Sequence, residues 1–192
     1  MEQTENNKTE PKENEETLAD VLWDQLKTFV ICMIAVWLFV SLVARPIRVQ
    51  GSSMYPTLKS GELGFANVYG RKFGTLERFD IAIISTDEEK FLIKRIVGLP
   101  GETVQYSHGV LEINGKPVEE PFLDTEYKDQ KPGVFTEDIS PITLGEDEYY
   151  CLGDNRPSSR DSRYYGPFHK SQILAKGAFI FFPFSEFGVK SW

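Results

Sequence analysis

The chain has 192 residues, of which 41% are hydrophobic, and this is enough for one membrane anchor and one globular domain. A formal net charge of −8 and a pI near 4.9 argue against a nucleic-acid-binding protein, because such proteins usually present a basic surface. The acidic excess is concentrated in the first 28 residues, which contain eight acidic side chains and three lysines. Because Cys32 and Cys151 lie far apart in the sequence, we expect no disulfide.

The N-terminal part predicts a tail followed by a helix. Residues 1–16 contain almost no apolar side chains, which predicts a disordered acidic tail. Thr17 and Asp20 resemble a capping box, so a helix should begin near Leu18. Residues 28–44 carry no charge, and at about 1.5 Å per residue they span roughly 25 Å. We therefore predict a transmembrane anchor helix over residues 17–45.

Two other interpretations of this apolar segment are weaker. A cleaved secretory signal would need a basic start and small residues at a cleavage site, whereas this chain begins acidic and continues with Arg45 and Pro46. A helix buried in the core of a soluble domain is the second alternative.

Residues 46–192 have the pattern of a mainly β domain. Short runs rich in branched and aromatic residues are separated by Gly, Pro, Asn and Asp, and the clearest are 81–84, 91–97, 110–113 and 178–182. His108-Gly109 and Asn114-Gly115 are typical of hairpin turns. Residues 103–147 are more polar and richer in loops, which predicts a small β subdomain inserted into the main one.

A loop over residues 51–58, hereafter the Ser53 loop, is the first candidate for catalysis. It follows the apolar segment. Pro56 fixes its own φ angle and disfavours the helical conformation at Tyr55. Ser53 in such a loop can present its hydroxyl group outward. A serine hydroxyl is a weak nucleophile, however, so a general base must lie beside it.

Lys94 is the best candidate for that base. His108 falls in a predicted turn and His169 in a predicted loop, and neither position favours a buried, oriented imidazole. On a strand, Lys94 shares a face with Leu92 and Ile96, and burial among apolar side chains lowers the pKa of a lysine. On the strand pattern alone, a lysine that protects an exposed strand edge is the favoured interpretation.

The segment 153–163 is dense in small polar and charged residues. Such composition is typical of turns with local hydrogen-bond networks, and a solvated loop is the simplest interpretation. Alternatively, the segment supports the serine and the lysine, with Asp161 paired to Arg163 or to Arg95. Acid catalysis by Asp154 and Asp161 is a third, weaker possibility.

Taken together and in order, these segments resemble the bacterial type I signal peptidases, which are membrane-bound Ser/Lys endopeptidases. The resemblance covers about residues 20–183 and is weakest in the insertion. The motifs that carry it, after the apolar segment, are SMYPTL at 53–58, RFDI at 78–81, KRIVGLPGE at 94–102 and GDNRPSSRDSR at 153–163. The single apolar segment and the short insertion are similar to the compact members from Gram-positive bacteria.

The resemblance implies a role for each matching residue. Ser53 would be the nucleophile and Lys94 the general base, with Ser159 hydrogen-bonded to the lysine. Asp161, Arg163 and Arg95 would form a supporting ion-pair cluster, and Asp154 would be structural. The implied fold is one transmembrane helix followed by a two-part antiparallel β-sheet domain, and neither a cofactor nor a metal is required.

The chain departs from the family pattern at two places. Gly51 occupies a position where some members have a serine that helps to stabilise the oxyanion, so we expect the backbone N–H of Ser53 to act with little side-chain help. Pro157-Ser158 replaces a common Asp-Asn pair but leaves Ser159 and Asp161 in register.

The expected substrates are secretory preproteins with small residues before the cut. We expect them to be bound as an added strand. Side chains that flank Ser53 and Lys94 are the candidate walls of the substrate pocket: Ile47, Val49, Met54, Leu92 and Ile93.

The resemblance implies a single-pass protein of the cell membrane with a cytoplasmic N-terminus and an extracytoplasmic catalytic domain. The charges beside the span favour the reverse orientation, because Lys27 precedes it whereas Arg45 and Arg48 follow.

Overall fold

The computed structural model describes residues 17–69, 74–86, 91–131 and 133–190. The predicted tail, residues 1–16, lies outside the described residues. The chain divides into two compact units, residues 1–39 and residues 40–192.

The first long element is helix α1, Leu18–Val43. Its start confirms the predicted cap, since the Thr17 hydroxyl donates to Asp20 Oδ2 at 2.6 Å and the backbone N–H of Asp20 donates to Thr17 Oγ1 at 3.4 Å. Residues Leu18–Leu38 are long and apolar enough to cross a bilayer, with a mean hydropathy of 1.6. The helix ends two residues before the predicted boundary at residue 45, because the chain enters a strand at Ala44.

The rest of the described chain is mainly β. Its twelve strands are β1 Ala44–Arg48, β2 Leu63–Asn67, β3 Ile81–Ser85, β4 Phe91–Gly98, β5 Thr103–Ser107, β6 Val110–Ile113, β7 Lys116–Val118, β8 Ile139–Thr143, β9 Glu148–Leu152, β10 Phe168–His169, β11 Ile173–Phe182 and β12 Gly188–Lys190. Two short helices are also present, α2 Thr125–Asp129 and α3 Ser162–Tyr165. The predicted fold class, mainly β after one apolar helix, is confirmed.

Within the described residues, eight strands form the larger sheet in the order β1-β2-β11-β3-β4-β9-β10, and β12 pairs with β11. All of its neighbouring strands are antiparallel. Strand β4 pairs with β3 along residues 91–95 and with β9 along residues 95–98. Its residues 94–98 are buried, and they include the charged side chains of Lys94 and Arg95.

The remaining four strands form a second antiparallel sheet in the order β7-β6-β5-β8. They fall within the segment 103–147 that the sequence marks as an insertion, and they lie between β4 and β9, which pair with each other. The predicted hairpin turns are present, and His108, Gly109, Asn114 and Gly115 all have positive φ angles.

The domain core covers both faces of the β4 and β9 pair. Ile96 and Cys151 belong to one buried apolar cluster, whereas Val97 and Leu152 belong to a second cluster shared with the insertion. At Gly98 a Cβ atom would lie 2.3 Å from the side chain of Val104, so only glycine allows strands β4 and β5 to approach this closely. The insertion is thus packed firmly against the strand that carries Lys94.

Candidate active site

Ser53 and Lys94 lie in direct contact. Lys94 Nζ is 2.7 Å from Ser53 Oγ, which is hydrogen-bond distance. Lys94 comes from the central strand β4, where it is paired in register with Ala82 of β3, and Ser53 comes from the loop between β1 and β2. Residues 41 positions apart are therefore joined as a hydroxyl and an amine.

Burial changes the protonation of Lys94. The residue is only 2% exposed, so the strand-edge alternative does not describe it. Loss of hydration lowers the pKa of its amine to about 8, although the charges of Asp161 and Asp154 oppose this shift. With this pKa roughly a tenth of the amine is neutral at pH 7 and about half of it at pH 8, and a neutral amine can accept the proton of Ser53.

The Ser53 loop is tied to the segment 153–163 by its backbone. The N–H of Asn155 donates to the carbonyl of Ser53 and the Asn155 side-chain amide donates to the carbonyl of Ser52, both at 3.0 Å. On the other side of the loop, Met54 and Leu58 are buried in the apolar core. These contacts fix the position of the serine hydroxyl against the lysine.

Asp154 links the Ser53 loop to strand β4. It accepts a hydrogen bond from the hydroxyl of Thr57 at 2.6 Å. Its two carboxylate oxygens also accept hydrogen bonds from Nε and Nη2 of Arg95, at 2.9 and 2.7 Å. In this bidentate ion pair both side chains are almost fully buried. Arg95 follows Lys94 directly, so this pair holds the loop and the lysine strand at a constant separation.

Asp161 forms a separate ion pair with Arg163. The guanidinium of Arg163 donates from Nε and Nη2 to the carboxylate, each at 2.8 Å. Burial pushes the pKa of Asp161 upward, but the hydrogen bonds and the charge of Arg163 prevail and hold it below its usual value. Asp161 also accepts the N–H of Gly153 at 3.0 Å, so it stays charged and orients the start of the segment.

These contacts correct the ion-pair cluster implied by the resemblance. Arg95 pairs with Asp154 and not with Asp161, so the expected group of Asp161, Arg163 and Arg95 consists of two separate pairs. Asp154 is therefore the partner of a buried cation as well as a structural residue. The two pairs anchor different sides of the same segment.

Ser159 is close to the site, but it does not hydrogen-bond to Lys94 as the resemblance implies. Within the described residues its buried hydroxyl makes no hydrogen bond to Lys94, and it lies beside Asp161, whose pKa it helps to lower. A Cβ atom at Gly153 would lie 2.2 Å from Ser159 Oγ and 2.4 Å from the carbonyl oxygen of Ser53. Only a glycine therefore allows the serine at 159 and the Ser53 backbone to approach each other.

Arg156 is a structural residue that the sequence did not single out. It is 1% exposed, and its guanidinium contacts the hydroxyl of Tyr106 at 2.7 Å, the hydroxyl of Thr136 at 3.1 Å and the carboxylate of Glu120. All three partners belong to the insertion. Since they are 20 to 50 positions away, no local pattern identifies them.

A cleft of about 710 Å³ opens beside the two candidate catalytic residues. The five predicted pocket residues all line it together with Ser53 and Lys94: Ile47, Val49, Met54, Leu92 and Ile93. Strands β2, β3 and β11 add lining residues that local sequence did not indicate: Ala66, Ile83, Leu174 and Ala175. Small and branched apolar side chains dominate these walls.

Neither histidine lies in the cleft. His108 occupies the turn between β5 and β6, and His169 lies 3.2 Å from Asp147, where both side chains are exposed. Among the residues that the structure describes, no group of three or more His, Cys, Asp or Glu side chains is arranged to hold a metal ion.

Comparison with known proteins identifies the family. Residues 22–182 match the family described as signal peptidase, peptidase S26. Signal peptidase I T of Bacillus subtilis is 39% identical over 190 residues, which cover 97% of each chain. Signal peptidase IB of Staphylococcus aureus is 32% identical over 176 residues, covering 86% of this chain and 92% of the relative.

A solved structure of a signal peptidase I from Enterococcus faecalis is also similar. It is 34% identical, with a TM-score of 0.49, and the match covers 53% of this chain and 96% of that one. The family match over most of the length and the identity to full-length relatives lead to one conclusion: the chain belongs to the signal peptidase family, peptidase S26.

Proposed function

We propose that Ser53 is the nucleophile and Lys94 the general base with which this serine endopeptidase removes signal peptides. One observation carries the assignment: a buried amine with a lowered pKa lies 2.7 Å from a serine hydroxyl. A charged lysine in the same place would be unable to accept a proton.

In the first half of the reaction, Ser53 Oγ attacks the carbonyl carbon of the scissile peptide bond while its proton passes to Lys94 Nζ. The tetrahedral intermediate collapses when the ammonium of Lys94 returns that proton to the leaving nitrogen. The mature protein then departs with a free amino terminus, and the signal peptide remains as an ester on Ser53.

In the second half, a water molecule replaces the leaving chain. Lys94 takes a proton from the water, whose oxygen attacks the ester carbon. The proton then passes to Ser53 Oγ as the ester bond breaks. The signal peptide leaves as a carboxylic acid that releases its proton to solvent, and both residues return to their starting states.

The negative oxygen of each intermediate needs a hydrogen-bond donor. We assign the backbone N–H of Ser53 to this role, because Gly51 has no side chain to donate. The side-chain amide of Asn155 donates to the carbonyl of Ser52, which belongs to the same peptide unit as the Ser53 N–H, and so holds this unit in place.

The cleft is proposed to bind the residues that precede the cut. Its walls include Ala66 and Ala175, with the buried side chains of Val49 and Met54. These apolar walls accept small apolar side chains, whereas a charged side chain placed against them would lose its hydration. A preprotein can bind there in extended form beside the strands that carry Ile47 and Ile93.

Helix α1 is proposed to anchor the enzyme, with the N-terminus in the cytoplasm and the catalytic domain outside. The family's exported substrates support this orientation, whereas Arg45 and Arg48 after the helix favour the opposite one. Digestion of intact cells with added protease tests it. Loss of residues 46–192 supports the proposed orientation, and full protection refutes it.

Cleavage of a purified preprotein tests the catalytic assignment. The wild type should release the mature protein, whereas Ser53→Ala and Lys94→Ala should not. Ser140→Ala and Lys116→Ala are matched controls, because these two residues are exposed on strands of the second sheet and should leave cleavage unchanged. Equal cleavage by all five proteins would eliminate the Ser/Lys mechanism, and EDTA should have no effect.

A further inference from the structure

An aromatic surface adjoins the Ser53 loop on the side of the insertion. Tyr55 lies two residues after Ser53, and its ring meets the ring of Tyr127 edge to face at a centroid distance of 4.9 Å. Tyr127 in turn meets Phe135 at 6.3 Å. We call these three residues, Tyr55, Tyr127 and Phe135, the aromatic shelf.

The insertion holds the shelf in a defined position. Asp124 caps helix α2 by accepting the N–H of Tyr127 at 2.8 Å, and the amine of Lys131 lies 4.6 Å from the centre of the Tyr127 ring. Phe135 is buried, and the neighbouring Thr136 accepts a hydrogen bond from the buried Arg156. These contacts hold the rings of Tyr127 and Phe135 in place within the insertion.

The shelf also keeps accessible surface. Tyr55 is 38% exposed and Tyr127 is partly exposed, although both rings make aromatic contacts. The accessible parts of these two rings offer apolar area and ring edges to another chain.

The shelf and the cleft are different surfaces beside the same nucleophile. Ser53 and Met54 line the cleft, whereas Tyr55, Tyr127 and Phe135 do not. Two residues of chain span at most about 7 Å, so Tyr55 lies within that distance of Ser53 although it does not line the cleft. A peptide attacked at Ser53 extends in both directions from the scissile bond, and the cleft accounts for one direction only.

We propose that the aromatic shelf binds the first residues of the mature protein, those that follow the cut. This inference rests on the proposed function, in which the cleft holds the residues before the cut. The shelf should favour preproteins whose first or second mature residue is apolar or aromatic, because such side chains can pack against the two tyrosine rings. The insertion thereby contributes to substrate selection.

A matched set of preproteins tests the proposal with the full-length enzyme. The set keeps one signal peptide and varies only the first two mature residues among Gly, Leu and Phe. The wild type should cleave the Leu and Phe substrates with a kcat/KM roughly two- to tenfold above the Gly substrate. Tyr127→Ala should remove this preference, Tyr127→Phe should keep it, and Tyr164→Ala, a change at an exposed tyrosine elsewhere, should leave it unchanged.

The outcomes distinguish a role of the aromatic shelf in substrate selection from a purely structural role. A wild type that cleaves all substrates equally overturns the proposal, as does a Tyr127→Ala variant that slows all substrates by the same factor. Should Tyr127→Ala fail to fold by circular dichroism, Tyr127→Leu keeps apolar volume without the ring and must still reduce the preference for Phe. Undiminished cleavage of every substrate by Ser53→Ala would instead refute the proposed function itself.

Discussion

Two regions around the active site bury positive charge in opposite ways. Lys94 is 2% exposed, and its close partner is the neutral hydroxyl of Ser53. Arg156 is 1% exposed, and it contacts the carboxylate of Glu120 together with two hydroxyl groups. A carboxylate stabilises the second cation, whereas no carboxylate in the part of the chain that the structure describes contacts the first.

The difference separates the proposed catalytic lysine from a structural arginine. A buried charge without a close counter-ion is relieved by loss of its proton, and the pKa of Lys94 falls to about 8 accordingly. Arginine cannot be deprotonated in a protein, so Arg156 remains charged and links the insertion to segment 153–163. The residue type that can lose its proton thus lies beside Ser53, the proposed nucleophile, and the type that cannot links the insertion to segment 153–163.

Exchanging the residue type at the catalytic position should have the largest effect. Lys94→Arg keeps a positive charge beside Ser53 but cannot act as a base, so kcat should fall by about 10³-fold or more. Turnover of a purified preprotein measures this loss. Retention of more than a tenth of the wild-type rate would show that Lys94 does not need to lose its proton.

Breaking the structural pair should destabilise the fold strongly. Arg156→Met leaves Glu120 without its buried partner, and the free energy of unfolding should fall by about 3–5 kcal/mol. Denaturant unfolding of the detergent-solubilised chain measures the change. Arg160→Met, on an exposed arginine of the same segment that stacks on Tyr164, should cost less than about 1 kcal/mol. Equal costs for the two variants would contradict the comparison.

Replacing Lys94 with an uncharged residue should increase the stability of the fold, in contrast to the change at Arg156. Below pH 8 the folded protein carries a charged, poorly solvated Lys94, so Lys94→Met should raise the free energy of unfolding by about 1–3 kcal/mol at pH 7.

The advantage of this variant should depend on pH. Because the pKa of Lys94 is lower in the folded chain than its ordinary value of 10.5, the wild type gains stability as the pH rises from about 8 to 10.5. The difference from Lys94→Met should shrink over that window. A variant that is less stable than the wild type at pH 7 would contradict the account of Lys94 as an uncompensated charge.

The pH dependence of cleavage should follow the titration of the Lys94 amine. Only the neutral amine is active, so kcat/KM should fall about tenfold for each pH unit below 8 and level off above it. Initial rates between pH 6 and pH 9 test this, with the unfolding transition followed in the same buffers. A flat profile would exclude Lys94 as the titrating base.

Local patterns in the sequence were sufficient for several features. The uncharged run and its capping residues predicted helix α1, and the hairpin turns at Asn114-Gly115 and His108-Gly109 followed from their residue types. These features depend on neighbours within a few positions. The family motifs added Ser53 and Lys94 as a pair, which the strand pattern alone could not distinguish from a serine and an exposed lysine.

The partners of the charged side chains could not be obtained in this way. Asp161 had two possible arginines in the sequence, and the fold selects Arg163 because Arg95 is engaged by Asp154 from 59 positions away. Likewise, Arg156 finds Glu120 only because the insertion folds back onto segment 153–163. Such choices depend on which strands become neighbours.

By itself, the sequence determined the apolar helix and the β character of residues 46–192, since these follow from composition and short-range periodicity, whereas Ser53 and Lys94 were indicated by their resemblance to family motifs. Only the tertiary structure decided that Lys94 is deprived of water. Its strand lies between β3 and β9 in the sheet, and burial depends on what packs around a side chain in space.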